Sequence, residues 1–395
     1  MNTMNRRNFL RMSATVGAGA AFLPASLSAA NFKSEDVKED GAIQVRTLGR
    51  TGIELPILSM GVMRADNPSV LRAAYNSGIK LFDTAHGYQE GRNETMCGNI
   101  LKDKPRDSFS ITTKIHFDYP LQENFEQDMD EKMALSLKRL QMDHVDIFYL
   151  HGVKDNEALK EERVIAWLEK IKKEGKARFV GFSTHAGKPE MLDTAIEAGI
   201  YDVILMSYNF KMARLDEWEA GMERAAKANI GLIAMKTMAG GVEDAEGKKK
   251  VNGQACLRWA WNNKNITTAI PGFTTYDLLD DCLAAGKASK LTDSDNMYLA
   301  SLKDSEMLYC QQCSGCESQC PEHLPIPDLM RAYMYAYGYN YAQLSKETLS
   351  DLHLSKDICL SCEGKCQINC IAGFNVGQKI AAVMPVMNIP EVFLS

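Results

Sequence analysis

Short apolar runs alternate with amphipathic segments from about residue 57 to residue 290. Charged or turn residues bound each run, and each run is largely apolar on both faces. That pattern is typical of parallel strands buried between two layers. The predicted strands span residues 57–61, 79–84, 109–114, 145–151, 177–183, 203–209, 230–236 and 267–272.

Between these runs, apolar residues recur at helical spacing, as at Met129 and Met133. Eight successive strand–helix repeats predict a (β/α)8 TIM barrel, an α/β fold, over residues 43–290. A doubly wound sheet is the alternative, but no Gly-x-Gly-x-x-Gly follows the first strand. Residues 43–56 precede the first run and predict a hairpin turning at two glycines.

Composition narrows the class of protein. The 395 residues include 45 Lys or Arg and 51 Asp or Glu, which gives a formal charge of −6. With 45% hydrophobic and 24% charged residues, the chain is globular, and disordered, collagenous and multi-span membrane proteins are excluded. No sustained basic stripe is present, so no nucleic-acid partner is expected.

The first 30 residues resemble a twin-arginine export signal. Arg6 and Arg7 precede an apolar, Ala- and Gly-rich run over 12–27, and small residues suited to cleavage follow. Residues 31–42 are charged and predict a flexible lead-in. We expect export to the periplasm or the outer face of a bacterial inner membrane. Membrane contact is expected only through the signal segment, if it stays uncleaved.

Polar residues stand where three neighbouring predicted strands end. Asp83 ends the second strand, with Tyr88 five residues later, Lys114 ends the third and His151 the fourth. Chemistry in a (β/α)8 barrel lies at these carboxyl ends. An ammonium beside a phenol is expected to lower the pKa of Tyr88, and an imidazole can orient a carbonyl. The four side chains suit protonation of a carbonyl oxygen.

Residues 43–290 resemble the aldo-keto reductases. The resemblance rests on DTAHGYQEGRNETMCG (83–98), ITTK (111–114), SLKRLQMDHVDIFYLH (136–151), GKARFVGFSTH (175–185), MSYN (206–209) and IPGF (270–273). It implies a nicotinamide-dependent barrel that interconverts small carbonyl compounds and alcohols. In that family pattern Tyr88 is the general acid, Lys114 and Asp83 tune it, and His151 orients the substrate.

The same resemblance assigns cofactor contacts. Nicotinamide contacts fall on Ser183, Tyr208 and Asn209, with Gly272 of IPGF beside them, and Lys236 meets a cofactor phosphate. The chain has a methionine where many members stack an aromatic ring on nicotinamide. The loop 271–281 also lacks the Lys/Ser/Arg group that holds a 2′-phosphate, so the choice between NAD and NADP stays open.

Cysteines cluster near the C-terminus. A first group has the spacing C-x2-C-x2-C-x3-C-P of bacterial ferredoxins, and a second reads C-x2-C-x3-C-x3-C without the proline. Both groups predict [4Fe–4S] clusters. In ferredoxins with two clusters, the fourth cysteine of each run binds the other cluster. Zinc and disulfides are the alternatives. The predicted ligands are Cys310, Cys313, Cys316, Cys320, Cys359, Cys362, Cys366 and Cys370.

Residues 291–395 therefore predict a mainly helical ferredoxin-like domain, with a helix beginning near Pro327. Tyrosines alternate at period two from 333 to 341, for which packing is the default interpretation. The whole chain predicts an exported carbonyl oxidoreductase that is coupled to, or stabilised by, two clusters, with a possible redox partner protein. One alternative is an iron–sulfur electron-transfer protein whose barrel is a docking scaffold. A zinc-bearing binding module is another.

Overall fold

The chain folds around a barrel of parallel strands, as seen in a computed structural model. The structure describes residues 41–240, 242–244, 247–249, 251–302, 308, 310–313, 315–354, 366–371 and 373–394. The predicted leader 1–30, most of the lead-in 31–42, and Cys359 and Cys362 lie outside the described residues. None of the described helices has the length and apolar character needed to cross a bilayer.

Each predicted apolar run contributes one barrel strand. The barrel order is β12-β9-β8-β7-β6-β5-β4-β3, so each strand lies beside its neighbour in the chain, while β1 pairs with β2 and β10 with β11. The strands are β1 (Val45–Thr47), β2 (Glu54–Pro56), β3 (Met60–Gly61), β4 (Leu81–Asp83), β5 (Ser110–Ile115), β6 (Val145–Leu150), β7 (Ala177–Thr184), β8 (Val203–Ser207), β9 (Gly231–Met235), β10 (Val242–Asp244), β11 (Gly247–Lys249) and β12 (Ile266–Ala269). The predicted (β/α)8 barrel is confirmed.

Hydrogen bonds between the first and last strands close the barrel. The Ser59 amide donates to the Ala269 carbonyl, and the Ala269 amide donates to the Ile57 carbonyl, each at 2.9 Å. The predicted hairpin β1–β2 lies at the opposite end of the barrel from the strand carboxyl ends. Its Leu48 is fully buried, and a Cβ on Gly231, where β9 begins, would lie 2.6 Å from that leucine. The hairpin therefore plugs the barrel floor.

Helices cover the outside of the barrel and build the C-terminal region. Met129, Met133 and Leu140 are fully buried against the strands, as the helical spacing predicts. The helices are α1 (Pro68–Asn76), α2 (Arg92–Leu101), α3 (Phe125–Leu140), α4 (Asn156–Lys160), α5 (Glu162–Lys173), α6 (Glu190–Ala198), α7 (Leu215–Lys227), α8 (Gly253–Asn262), α9 (Tyr276–Lys287), α10 (Asp293–Ser301), α11 (Ile326–Tyr333), α12 (Ala342–Ser350) and α13 (Val376–Val383).

The described part of the C-terminal region is helical. Helix α11 has Pro327 in its first turn, as predicted, because a proline there loses no intrahelical hydrogen bond. A π-helical turn follows over Met334–Gly338. Ile326, Leu329 and Val383 are fully buried in a core shared by α11 and α13. Residues Gly41–Ser395, which include the barrel, form one compact unit.

Candidate active site

A buried ion pair lies at the carboxyl ends of β4 and β5. Lys114 Nζ donates to Asp83 Oδ2 at 2.7 Å and to the Thr84 carbonyl at 2.6 Å, and the two charged side chains are 1% and 5% exposed. Thr112 Oγ1 donates to the other carboxylate oxygen at 2.6 Å. Burial lowers the pKa of Lys114, although Asp83 opposes this. A buried ammonium with one counter-ion is thus held in a single position.

Tyr88 and His151 complete the predicted group of four. The Lys114 ammonium lies 4.8 Å from the centroid of the Tyr88 ring, and the Tyr88 and His151 ring centroids are 5.6 Å apart, edge to face. Burial and the Asp83 carboxylate hold the pKa of Tyr88 well above its usual range, so the net shift is opposite to the lowering expected from Lys114. Burial and Lys114 hold the pKa of His151 well below its usual range. At neutral pH the pair is a phenol and a neutral imidazole.

The C-terminal region covers this group. Alternate residues of a helix lie about 200° apart, so a period-two tyrosine run falls on two opposite faces. Tyr333 stacks on Tyr337 at 4.6 Å, and the Lys379 ammonium lies 4.4 Å over the Tyr333 ring. Tyr335 and Tyr339 pair at 5.9 Å on the other face and raise the pKa of Tyr88, after burial and Asp83. Tyr333 therefore belongs to the C-terminal core, whereas Tyr335 and Tyr339 pack against that core and also reach the barrel mouth.

Two cations of the barrel hold Tyr339 in place. Lys236 Nζ donates to the Tyr339 hydroxyl at 3.0 Å. Arg64 donates to the Tyr339 carbonyl at 3.0 Å, with its guanidinium 4.8 Å over the ring. Lys236 has φ +57°, a left-handed conformation that is uncommon for a lysine. The Asn209 amide donates to the Lys236 carbonyl at 3.2 Å and helps to fix this conformation.

The predicted cofactor contacts fall into different places. Ser183 Oγ is buried at the β7 end and accepts from the Gly152 amide at 2.9 Å. Gly272 is exposed on the loop after β12. Tyr208 points away from the mouth: its hydroxyl donates to Glu219 at 2.6 Å, and its ring lies 4.8 Å from that of Trp259. The position of Tyr208 corrects the predicted nicotinamide contact, since it packs between β8 and the outer helices.

Sequence reasoning missed His185 and Ser207, which join the mouth. His185 Nδ1 and Ser207 Oγ are 3.0 Å apart, and burial with nearby Lys236 holds the pKa of His185 well below its usual range. The alternation of side chains along a strand could have indicated that both residues face the barrel interior, since their neighbours face outward. His86 Nδ1 lies 3.0 Å from Ser136 Oγ, and His116 is exposed.

Several of the described cysteines near the C-terminus affect one another's pKa. Burial raises the pKa of the Cys310 thiol to about 12, and the Cys370 thiol adds to this. Burial likewise raises the pKa of Cys316 to about 11, with Cys313 and Cys370 adding to it. The Asn369 amide donates to Gln319 Oε1 at 2.8 Å, which binds the second cysteine segment to the first.

The remaining cysteines differ in their surroundings. Cys320 is 7% exposed in the C-terminal core, and a Cβ on Gly377 of α13 would lie 3.2 Å from Cys366 Sγ. Among the described residues, no three His, Cys, Asp or Glu side chains converge on one metal ion. Cys97, Cys256 and Cys282 are buried among the barrel helices.

Known proteins resemble the barrel. Residues 58–255 match the model of the Aldo/keto reductase family. The chain belongs to this family. L-galactose dehydrogenase of Arabidopsis thaliana is 26% identical over 289 residues, which are 62% of this chain and 88% of that protein. L-glyceraldehyde 3-phosphate reductase of Escherichia coli K12 is 29% identical over 225 residues, 51% of this chain and 63% of that protein.

Solved structures agree on the fold of this family member. An aldo-keto reductase from Bacillus halodurans, in its holo form, superposes with a TM-score of 0.56 at 22% identity. The match covers 69% of this chain and 100% of the Bacillus halodurans chain. The aldo-keto reductase fold thus accounts for the barrel, and family members typically bind NAD or NADP.

Proposed function

We propose that this aldo-keto reductase interconverts a small aldehyde or ketone and its alcohol at Tyr88. The buried Lys114–Asp83 pair beneath the Tyr88 ring carries the proposal. Burying two charges is costly unless they are paired and hydrogen-bonded, so such a pair at a strand end favours a catalytic role.

The chemistry follows from the protonation states. Tyr88 keeps its proton at neutral pH, because its pKa lies well above the usual range, and it donates that proton to the carbonyl oxygen. The Lys114 ammonium stabilises the phenolate that develops as the proton leaves. Neutral His151 orients the carbonyl through a ring N–H. Asp83 keeps Lys114 in place.

A nicotinamide cofactor would supply or accept the hydride when bound. The residues at the strand ends suit an amide-bearing ring in part, since Ser183 has a hydroxyl at the end of β7, whereas the Asn209 side-chain amide is already bonded to the Lys236 carbonyl and the Lys211 amide. Tyr208 is not part of that set. The loop after β12 carries Asp277 in the first turn of α9, which disfavours a 2′-phosphate and supports NAD.

Two [4Fe–4S] clusters in the C-terminal region are part of the proposal. Cys310, Cys313 and Cys316 with Cys370 would hold the first cluster, and the hydrogen bond from the Asn369 backbone amide to Gln319 Oε1, which joins the two cysteine segments, supports this.

By the crossed ferredoxin pattern, Cys320 would join the second cysteine run on the second cluster. Such clusters pass single electrons, so a redox partner protein fits the proposal. Export by the twin-arginine route to the periplasm or outer membrane face is proposed from the leader alone.

A second candidate is an iron–sulfur electron-transfer protein whose barrel is a docking scaffold. One observation favours it: Tyr339, held by Lys236 and Arg64, lies over the barrel mouth. The intact group of four side chains favours the reductase, because a passive scaffold has no need of a buried ion pair.

Titration of NADH and NADPH into anaerobically purified, cluster-loaded protein tests the proposal. We expect tight binding of NADH and nicotinamide-dependent turnover of small aldehydes. Failure of both cofactors to bind, with none carried through purification, would refute the nicotinamide reductase. Iron and sulfide analysis tests the clusters, for which about eight of each per chain are expected from two [4Fe–4S] units. Stoichiometric zinc would refute them.

A further inference from the structure

The loop that carries Tyr88 has a constrained backbone. It joins β4 to α2 over residues 84–91. Gln89 and Glu90, directly after Tyr88, have φ values of +50° and +55°, in the left-handed region that side chains rarely adopt. Such conformations are unfavourable for residues other than glycine and persist only where the surrounding contacts impose them. The contacts that hold this loop therefore decide where the Tyr88 ring lies.

Arg139 of α3 contacts the loop both before and after Tyr88. Its Nη1 donates to the His86 carbonyl at 3.0 Å. Its guanidinium also lies against Gly91, where a Cβ would come within 2.1 Å of the guanidinium carbon. Gly91 has φ +85°, so both the space and the backbone at this position require glycine.

A buried carboxylate fixes the guanidinium. The side chain of Glu94, on α2, is fully buried and accepts from Arg139 Nη1 at 3.2 Å and from Thr113 Oγ1 at 2.6 Å. A charge buried in this way must be paired and hydrogen-bonded. Thr113 precedes Lys114 on β5, so these bonds connect α3 and α2 to the strand that carries Lys114.

His86 is held between α3 and the end of β5. Its Nδ1 lies 3.0 Å from Ser136 Oγ, one turn before Arg139 on α3, and its amide donates to the Lys114 carbonyl at 2.9 Å. Tyr88 follows two residues later, with its ring centroid 4.8 Å from the Lys114 ammonium. The contacts of α3 with His86 therefore help to set the distance between the Tyr88 ring and Lys114.

We propose that Arg139 is a positioning residue for Tyr88, which it holds against Lys114 from outside the barrel through the His86 carbonyl and Gly91. This rests on the proposed role of Tyr88 as the acid and adds a residue on the helix side of the barrel wall. A displacement of about 1 Å can cost about 100-fold in rate. Loss of this contact should thus slow proton transfer more than it weakens binding.

A double variant tests the proposal without leaving a buried charge unpaired. Arg139→Met alone would leave the Glu94 carboxylate without its counter-ion and is expected to destabilise the protein. It is therefore combined with Glu94→Gln, which still accepts from Thr113 through its amide oxygen. Glu94→Gln alone is the matched control, since it removes the ion pair and keeps the bond from Arg139 to the His86 carbonyl.

Rates and affinities are measured on the cluster-loaded full chain. We expect the single-turnover rate of NADH oxidation with an aldehyde to be about 10- to 100-fold lower in the double variant than in Glu94→Gln. We expect KM for the aldehyde and Kd for NADH to change less than about threefold, because the lost contact acts on the transition state. Equal Tm values for the two variants would show that the rate loss is not a folding defect.

Arg163→Met is a second control. Arg163 pairs with Glu126, in the first turn of α3, at 2.6 Å and donates to the Glu123 carbonyl at 3.0 Å. It therefore holds the opposite end of the same helix from the end that contacts the Tyr88 loop. We expect this variant to keep the wild-type rate, and a loss equal to that of the double variant would overturn the specific role of Arg139.

Gly91→Ala approaches the same contact from the loop. Its Cβ would displace the guanidinium, so we expect a rate loss in the wild-type background and a much smaller one in the double variant, in which position 139 is methionine. The backbone strain of alanine at this φ is present in both backgrounds and cancels in the comparison. Equal losses in the two backgrounds would overturn the contact with Arg139 as the cause.

Hydrogen exchange separates this proposal from the proposed function. We expect the amides of residues 84–91, followed by mass spectrometry, to exchange about tenfold faster in the double variant than in Glu94→Gln. If the wild type turns over aldehydes and the double variant is as fast as Glu94→Gln, the positioning role alone is overturned. If the wild type turns over no carbonyl compound, the reductase is refuted. In that case faster exchange would still support the hold on the loop, and unchanged exchange would overturn it.

Discussion

Replacement of Tyr88 by phenylalanine removes one hydroxyl at the centre of the proposed mechanism. The Lys114 ammonium lies 4.8 Å from the ring centroid, and a charge pair at that distance attracts by about 3.5 kcal/mol at an effective dielectric of ~20, before the opposing Asp83 carboxylate is counted. At 1.36 kcal/mol for each factor of ten, that is a few hundred-fold in rate. General-acid catalysis contributes about 10²- to 10⁴-fold. We therefore expect kcat/KM for carbonyl reduction to fall by about 10²- to 10⁴-fold.

The barrel offers a matched control in Tyr149. It is fully buried inside the barrel, burial and Asp83 raise the pKa of its phenol well above the usual range, and its hydroxyl has no hydrogen-bond partner among the described residues. Removing a buried unpaired hydroxyl is expected to stabilise the protein by up to about 1–3 kcal/mol. Tyr149→Phe should thus keep full turnover and show an equal or higher Tm.

Initial rates of NADH oxidation with an aldehyde, and denaturant unfolding, are measured for both variants. Equal losses of activity in the two would show that any change inside the barrel impairs turnover. Full activity in Tyr88→Phe would refute Tyr88 as the acid. If Tyr88→Phe keeps reducing a redox partner at the wild-type rate, while no carbonyl compound is turned over by either protein, the electron-transfer alternative is supported.

Three further predictions follow from described contacts. The pKa values of His151 and His185 are lowered in the folded protein, so the unfolded chain binds protons first as pH falls below ~6.5. The free energy of unfolding therefore falls below that pH, by at most about 1.4 kcal/mol per pH unit for each histidine. Denaturant unfolding at pH 7.0 and pH 5.5 measures this loss, and equal stability at the two pH values would contradict it. Asp146 is buried near the barrel floor and accepts from two arginines at 2.7 Å, so Asp146→Ala should lose about 3–5 kcal/mol in chemical unfolding with kcat/KM unchanged. Cys370→Ser should lower the iron content from about eight to about four per chain, whereas Cys282→Ser should leave it unchanged.

The strands and the group of four were predictable because both depend on local sequence. A run such as 145–151 is apolar on both faces, and only a strand covered on both sides suits that pattern. Lys114 and His151 lie at the same rim because parallel strands bring their carboxyl ends together. Neither inference needs knowledge of distant contacts.

The errors have separate physical causes. Tyr208 follows the alternation of β8, in which Leu205 faces the barrel interior while Met206 and Tyr208 face the helices. That alternation was available in the sequence and was outweighed by the family motif. The pKa of Tyr88 depends on desolvation by the C-terminal cover, and Arg331 reaches the mouth through a long-range contact. No local pattern fixes where a second region docks.

The β1–β2 hairpin closes the end of the barrel that lies opposite the strand carboxyl ends. Leu48 fills that end of the barrel, and Gly49 follows it at the turn of the hairpin. Only a glycine can pack so closely at position 49, because a Cβ there would lie 2.4 Å from the Gly231 amide nitrogen. A substrate that reaches Tyr88 through the barrel mouth must pass Tyr339, which two cations of the barrel hold there. The frequency with which that cover parts would then set a ceiling on turnover, however fast the proton moves.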